Sequence, residues 1–133
     1  MSHTPLPTYL NDLTYAIRGC IFKVHKVLGP GLLESVYEGA LSYELEKAGL
    51  KAQRQVGLPV QYEDVFLDLG FRMDILVADA IVLELKSVEA VHDVHKKTLL
   101  TYLKLSGKKI GLLINFNAAL LVDKESLFRI IHS

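Results

Sequence analysis

The 133-residue chain carries 15 Lys+Arg against 15 Asp+Glu, half of it is hydrophobic, and its pI is about 7.0. That length suits one domain with a real core and is too short for two, while the apolar content excludes a disordered or solvating polymer. Formal neutrality also removes the basic surplus from which nucleic-acid binding is ordinarily argued.

The single cysteine, Cys20, excludes an internal disulfide and a cysteine metal cluster, and fits the apolar stripe of a helix better than a nucleophile. The longest apolar stretch, Ile110 to Val122, is 13 residues broken by Asn115 and Asn117, well short of a membrane span. The opening MSHTPLPTYLND has no basic stretch followed by an apolar one, so a cytoplasmic protein without a secretory signal or membrane contact is expected. Charge is unevenly spread. Residues 1–91 hold 8 Lys+Arg against 12 Asp+Glu, and residues 92–133 hold 7 against 3. Lys96, Lys97, Lys104, Lys108 and Lys109 make most of the basic end, read either as solvated helix faces or as a basic rim beside an acidic site.

No repeat or linker divides the chain, so one domain over 1–133 is expected, with a flexible N-terminus over 1–9. Leu10, Leu13, Ile17, Cys20, Ile21, Val24, Val27 and Leu28 recur at helical spacing, with Thr8 or Asn11 as candidate caps. Gly29-Pro30-Gly31 ends that helix. A second helix is expected from about Leu33 to Ala48, with Leu33, Val36, Tyr37, Ala40, Leu41 and Leu45 inward and Gly49 just past its end. Residues 52–62 and 65–77 read as an antiparallel hairpin turning near Glu63-Asp64. Ala80 to Val88 is the most apolar extended run and is placed centrally in a sheet. Residues 93–106 return to helix, with Val94, Leu99, Tyr102, Leu103 and Leu105 as its apolar positions and Gly107 as terminator. Strands follow at Lys108 to Asn115, Ala119 to Val122 and Leu127 to Ile131. The order, ααβββαβ with small C-terminal additions, gives an α/β fold with a central mixed β-sheet flanked by helices.

Chemistry concentrates in Phe71-Arg72-Met73-Asp74-Ile75 and Ile81-Val82-Leu83-Glu84-Leu85-Lys86. On an extended chain Glu84 and Lys86 share one face while Leu83 and Leu85 share the other. Charges on an interior strand cost several kcal/mol per ion, on the order of general estimates, unless paired or bound to a metal. An antiparallel return brings Asp74 opposite Glu84, and two carboxylates beside a lysine suit Mg²⁺ or Mn²⁺. An ion held by Asp74, Glu84 and the Leu85 carbonyl would polarise a phosphate oxygen and lower the pKa of bound water, with Lys86 positioning that water or stabilising developing charge. The bland alternative is a half-solvated strand with a surface ion pair. Glu34 and Tyr37 form a second polar pair on one helix face, read alternatively as a helix-dipole glutamate and a core tyrosine. His25, His92 and His95 lie on separate elements without paired metal spacing, and His95 starts the helix facing the proposed site.

The run Val24-His25-Lys26-Val27-Leu28-Gly29-Pro30-Gly31-Leu32-Leu33-Glu34-Ser35-Val36-Tyr37-Glu38-Gly39-Ala40-Leu41 closely resembles the signature of the GxxExxY proteins. That family is similar to the PD-(D/E)XK, or restriction-endonuclease-like, nucleases. The likeness continues through Phe71 to Asp74, Val82 to Lys86, His95, Leu99 to Lys104 and Gly111 to Phe116, spanning about residues 13–122. It implies a restriction-endonuclease-like fold, acidic metal-site roles for Glu34, Asp74 and Glu84, and a catalytic role for Lys86. It further implies auxiliary or nucleic-acid contacts from Tyr37, Arg72, His95, Lys97, Thr98, Tyr102 and Lys104. Family members often carry glutamine four residues before the tyrosine of the later helix, where this chain has Thr98 before Tyr102. The implied activity is Mg²⁺-dependent hydrolysis of phosphodiester bonds in nucleic acid, with DNA preferred and a homodimer compatible. The alternatives are a catalytically weak or inactive domain that binds nucleic acid or a protein, and a purely structural α/β module.

Overall fold

The computed structural model describes residues 6–68 and 70–132 of the chain. Two helices, α1 (Thr8–Leu28) and α2 (Glu34–Lys47), precede strands β1 (Ala52–Gly57), β2 (Val60–Tyr62), β3 (Val65–Leu67), β4 (Arg72–Val77) and β5 (Ile81–Lys86). Helix α3 (Asp93–Ser106) and strands β6 (Ile110–Asn115) and β7 (Leu127–Ile131) follow. The main sheet has the order β1-β4-β5-β6-β7. Among the strands of the described residues only β5 and β6 pair in parallel, which requires a long crossover, and α3 supplies it. The expected mixed sheet flanked by helices is thus present. Among the described residues no helix is long and apolar enough to cross a membrane.

Alternation along β5 sorts the core into two layers. Ile81, Leu83 and Leu85 pack with Ile17, Ile21, Leu41 and Leu45 of α1 and α2. Val82 faces the other way, into a smaller layer with Leu99 and Leu103 of α3, Leu76 and Leu113. A Cβ at Gly111 would lie 2.7 Å from Leu99 Cδ1, so glycine there lets α3 sit close on the sheet. That close seat fixes the helix whose N-terminal turn faces the end of β5.

The turn between α1 and α2 is tied by one side chain. Gly29 and Gly31 take φ of 68° and 98°, a region that favours glycine. Tyr37, fully buried at 0% exposure, stacks on Phe116 at 4.6 Å. Its hydroxyl donates to the Gly29 carbonyl and accepts from the Leu32 N–H at 3.2 Å. The spacing from Gly31 to Tyr37 therefore returns the first turn of α2 onto the loop before it.

Several expectations need correction. Of the segment 1–9 expected to be flexible, residues 1–5 lie outside the described residues, while Thr8 and Tyr9 belong to α1. Pro7 occupies the cap of α1 without a side-chain cap bond, rather than Thr8 or Asn11. The hairpin turns at Glu63, whose φ is 53°, but each arm is interrupted, so that β2 pairs β3 in a separate two-stranded sheet. Pro59 explains one break, since it has no N–H to give a ladder. Leu33, Val36, Val27 and Val94 are exposed, and Glu38 and Ser42 take buried positions on α2 instead. Ala119 to Val122 is loop, not strand. The outer side of β6 is already filled by β7, and buried Ser126 satisfies the loop itself, accepting from Val122 N–H at 2.8 Å and donating to the Leu120 carbonyl at 2.9 Å.

Candidate active site

The β4–β5 ladder runs Val77↔Ile81, Leu76↔Val82 and Ile75↔Leu83, and stops there. At the next step side chains take over from backbone partners. The Asp74 N–H donates to Glu84 Oε1 at 3.1 Å, and the Leu85 N–H donates to Asp74 Oδ2 at 2.8 Å. The two carboxylates thereby hold each other's strands apart while being held in place by them. Across the other edge of β4, Gln55 sits opposite Asp74 with φ of 52°, outside ordinary strand geometry. Met73 and Leu76 pack in the same α3-side layer although three residues apart, so the in-out alternation of β4 slips at Asp74.

A cavity of about 330 Å³ is lined by Glu34, Ser35, Glu38, Gln55, Asp74 and Leu85. Leu85 lines it from β5, with its backbone N–H already on Asp74. In an extended strand N–H and C=O of one residue leave on the same side, which aims the Leu85 carbonyl towards Asp74. Glu34, the first residue of α2, accepts from the Ser87 N–H at 3.3 Å, and Ser87 Oγ donates to the Leu32 carbonyl at 2.6 Å. The helix start and the end of β5 are therefore laced together, bringing Glu34 to the same cavity as Asp74.

Glu84 is only 5% exposed, and its pKa is pushed up to about 8, first by burial and then by the Asp74 charge. Asp74 is also raised, chiefly by burial, with the Leu85 N–H and Lys86 opposing. Lys86 follows on the same face of β5 as Glu84, half-buried, and the ion pairs among the described residues do not include it. His95 Nδ1 accepts from the His92 N–H at 3.0 Å, which places the proton of the neutral ring on Nε2. Its pKa is lowered by burial and then by Lys86 and His92. Tyr102, against Phe71 at 6.2 Å, is raised by burial and by the Glu84 and Asp74 charges, which puts it on the site side of α3.

Other positions divide. Tyr37 is sealed in the core with no surface to offer a nucleic acid, so its part is to hold the turn before Glu34. Thr98 lies four residues before Tyr102, but its hydroxyl donates to the Val94 carbonyl of its own helix at 2.9 Å. Arg72, Lys97 and Lys104 are exposed, Arg72 two residues before Asp74 on β4. The basic end does not form one rim. Lys108 bonds Asp79 at 3.2 Å and, with Lys109, lies where β6 begins beside Ile81, the opposite end of the sheet from Lys86.

Two residues of this region, Glu38 and Asn115, were not singled out by sequence. Glu38, buried on α2, accepts from Arg54 Nε at 3.0 Å and from Gln55. Asn115 accepts from the Val88 N–H at 3.1 Å and donates to the Val88 carbonyl at 2.9 Å, fixing the loop from β5 to α3. An amphipathic pattern gives no such signal, because these bonds join residues far apart in the chain. His25 and Cys20 are structural: His25 Nε2 meets the Ala118 carbonyl at 2.7 Å, and burial raises the Cys20 thiol.

Residues 11–129 match the family described as the PD-(D/E)XK nuclease superfamily. The chain belongs to that superfamily. Comparison with curated proteins and with solved structures returned no match. Nucleases of this superfamily generally use divalent metals and bind nucleic acid. Among the described residues no three His, Cys, Asp or Glu side chains converge as a ready ligand set. The donors at the end of β5 are two carboxylates and a backbone carbonyl. Such a set fits Mg²⁺, which keeps several waters and takes one or two carboxylates from the protein. The raised Asp74 and Glu84 fit as well, since a cation between two buried carboxylates relieves the repulsion and burial that disfavour their charge.

Proposed function

We propose that this member of the superfamily is a metal-dependent nuclease that hydrolyses phosphodiester bonds, with DNA as substrate and Mg²⁺ or Mn²⁺ as cation, acting in the cytoplasm. The observation that carries the reading is the exchange of bonds between Asp74, Glu84 and Leu85 where the β4–β5 ladder ends. A divalent ion bound there supplies polarisation of the phosphate and acidification of water. Asp74, Glu84 and the Leu85 carbonyl hold it, with Glu34 adding negative charge at the cavity wall.

The remaining work falls to the chain's own groups. Lys86, on the face of Glu84, donates to the non-bridging phosphate oxygens as negative charge grows on them. Among the described residues no ion pair includes its ammonium, which leaves it to the ester in this reading. His95 offers its Nε2–H to the same phosphate or its neighbour, and Tyr102 bounds the pocket opposite. Arg72 and Lys97 meet the flanking backbone. Glu34, Asp74, Glu84 and Lys86 all belong to one chain, so the reading requires no second copy.

One observation favours a second reading, a weakly active or inactive domain that binds nucleic acid or a protein. Thr98 turns its hydroxyl to its own helix, leaving the place of the family's glutamine without a polar reach into the site. Purified protein on single- and double-stranded DNA and RNA, with Mg²⁺, Mn²⁺ or EDTA, tests both. Metal-stimulated cleavage supports the nuclease; binding without cleavage in any metal supports the second reading.

A further inference from the structure

A second cavity lies away from the carboxylates. About 650 Å³ opens at the outer edge of β7, between α1 and α3. Its lining includes four cations, Arg18, Lys96, Lys124 and Arg129, against one carboxylate, Asp123. Arg18 holds Asp123 at 2.8 and 3.3 Å, which consumes that carboxylate and leaves the other three cations uncompensated by it. Lys96 lies over the Phe128 ring at 4.3 Å, a contact that favours placing its ammonium at the groove. Lys124 adopts φ of 66°, a conformation in which glycine or asparagine is ordinary and lysine rare. Arg129 projects from the middle of an edge strand, where a charge discourages pairing with another strand.

Register ties this groove to the candidate active site. Lys86 pairs with Asn115, and Ile114 pairs with Leu127, so β7 begins at the same end of the sheet where β5 ends. Two strand spacings separate them, about 10 Å. One strand of DNA carries a phosphate about every 3.4 Å of helix axis, so that distance amounts to roughly three nucleotides. Adjacent residues in the first turn of α3 lie between the two places: His95, in the turn that follows the end of β5, and Lys96, in the groove lining.

We propose that the groove along β7 is a second phosphate-binding surface, which grips the nucleic-acid backbone a few nucleotides from the bond placed at Lys86. This rests on the nuclease reading for its substrate but not for its test. Affinity for fluorescent single- and double-stranded DNA is measured in EDTA across a salt series. The variant Lys124→Asn/Arg129→Thr keeps residues suited to a left-handed turn and to a strand, and circular dichroism confirms its fold. Affinity should fall at least tenfold, and the dependence of log K on log salt should flatten by about 1.8 for two lost contacts on duplex. Lys108→Ser/Lys109→Ser, at the opposite end of the sheet, should change neither quantity. Unchanged affinity and slope in the folded Lys124→Asn/Arg129→Thr protein would overturn the groove, whether or not the wild type cleaves. Displacement of DNA by a polyglutamate peptide as readily as by unlabelled DNA would likewise overturn a phosphate site. If the groove variant weakens binding while the wild type cleaves in no metal, the groove stands and the catalytic reading falls.

Discussion

The two halves of β5 have the same strand geometry and opposite fates. From Ile81 to Leu83 the strand is paired on both sides, to β4 and to β6, and every side chain is apolar and buried. From Glu84 to Lys86 pairing continues only with β6, and on the β4 side carboxylates receive the backbone N–H groups. The first half is held by packing, which is indifferent to chemistry as long as volume is kept. The second half gives up three rungs of ladder for two oriented acids and a lysine. A site in this sheet is therefore a place where the ladder is interrupted, and its stability is borrowed from the uninterrupted half beside it.

The sharpest way to break this contrast is Lys86→Met. Methionine keeps the unbranched apolar stem and removes the charge, so the fold and most nucleic-acid affinity should persist. Cleavage should fall by a factor of roughly 100 or more, the scale for losing one group that stabilises transition-state charge. Single-turnover assays on the folded variant check this; undiminished turnover would make Lys86 structural.

In the other half, Leu83→Ala should cost about 2–5 kcal/mol, because it empties a fully buried position between two helices. Glu84→Gln should cost far less, or stabilise the metal-free protein, since burial already disfavours the Glu84 charge. Urea unfolding of the two variants compares them directly. A larger loss for Glu84→Gln than for Leu83→Ala would reverse the assignment of the two halves.

The same contrast has a pH signature. Glu84 titrates near 4.5 when unfolded and near 8 in the metal-free fold, so between those values the folded chain binds more protons than the unfolded one. Stability then falls as pH rises through that window and levels above it, and the raised Asp74 acts in the same direction. Without metal, wild type should lose stability from pH 5 towards pH 8 relative to Glu84→Gln. Parallel curves for the two proteins would contradict it.

The smallest effect concerns α3. Thr98→Gln replaces a hydroxyl bonded to its own helix with a longer group on the face of Tyr102. Gaining one hydrogen bond, about 1 kcal/mol, should raise cleavage or affinity several-fold. Stability should change little, since glutamine is the better helix former. Matched single-turnover cleavage and binding in Mg²⁺ are the readout, and no gain in either would show that Thr98 does not limit the site.

Much of this was legible in the chain because it depends on periodicity. The alternation of Leu83, Glu84, Leu85 and Lys86 sorts core from site before any contact is known, and the antiparallel return from β4 to β5, through the turn at Ala78 and Asp79, brings Asp74 back beside Glu84. Tertiary bonds were not legible. The role of Tyr37 depends on Phe116, which follows it by most of the chain, and Glu38 reads as a surface glutamate until Arg54 and Gln55 reach it. The lysines of the C-terminal third are close in sequence, which leaves solvated helix faces and one basic rim as alternatives. The crossover from β5 to β6 separates them, leaving Lys96 near the site and Lys108 with Asp79 at the other end. Arg18, Lys124 and Arg129, distant in sequence, meet only around the β7 edge.

The claim on which the nuclease reading rests is that Asp74 and Glu84 act together on one divalent ion. Titration calorimetry of Mn²⁺ into the wild type and into Asp74→Asn tests it without any substrate. The account predicts binding of about one ion per chain, largely abolished in the folded variant, because a site of two carboxylates and a carbonyl does not survive the loss of one charge. Equal binding by the two proteins would remove this site from the account.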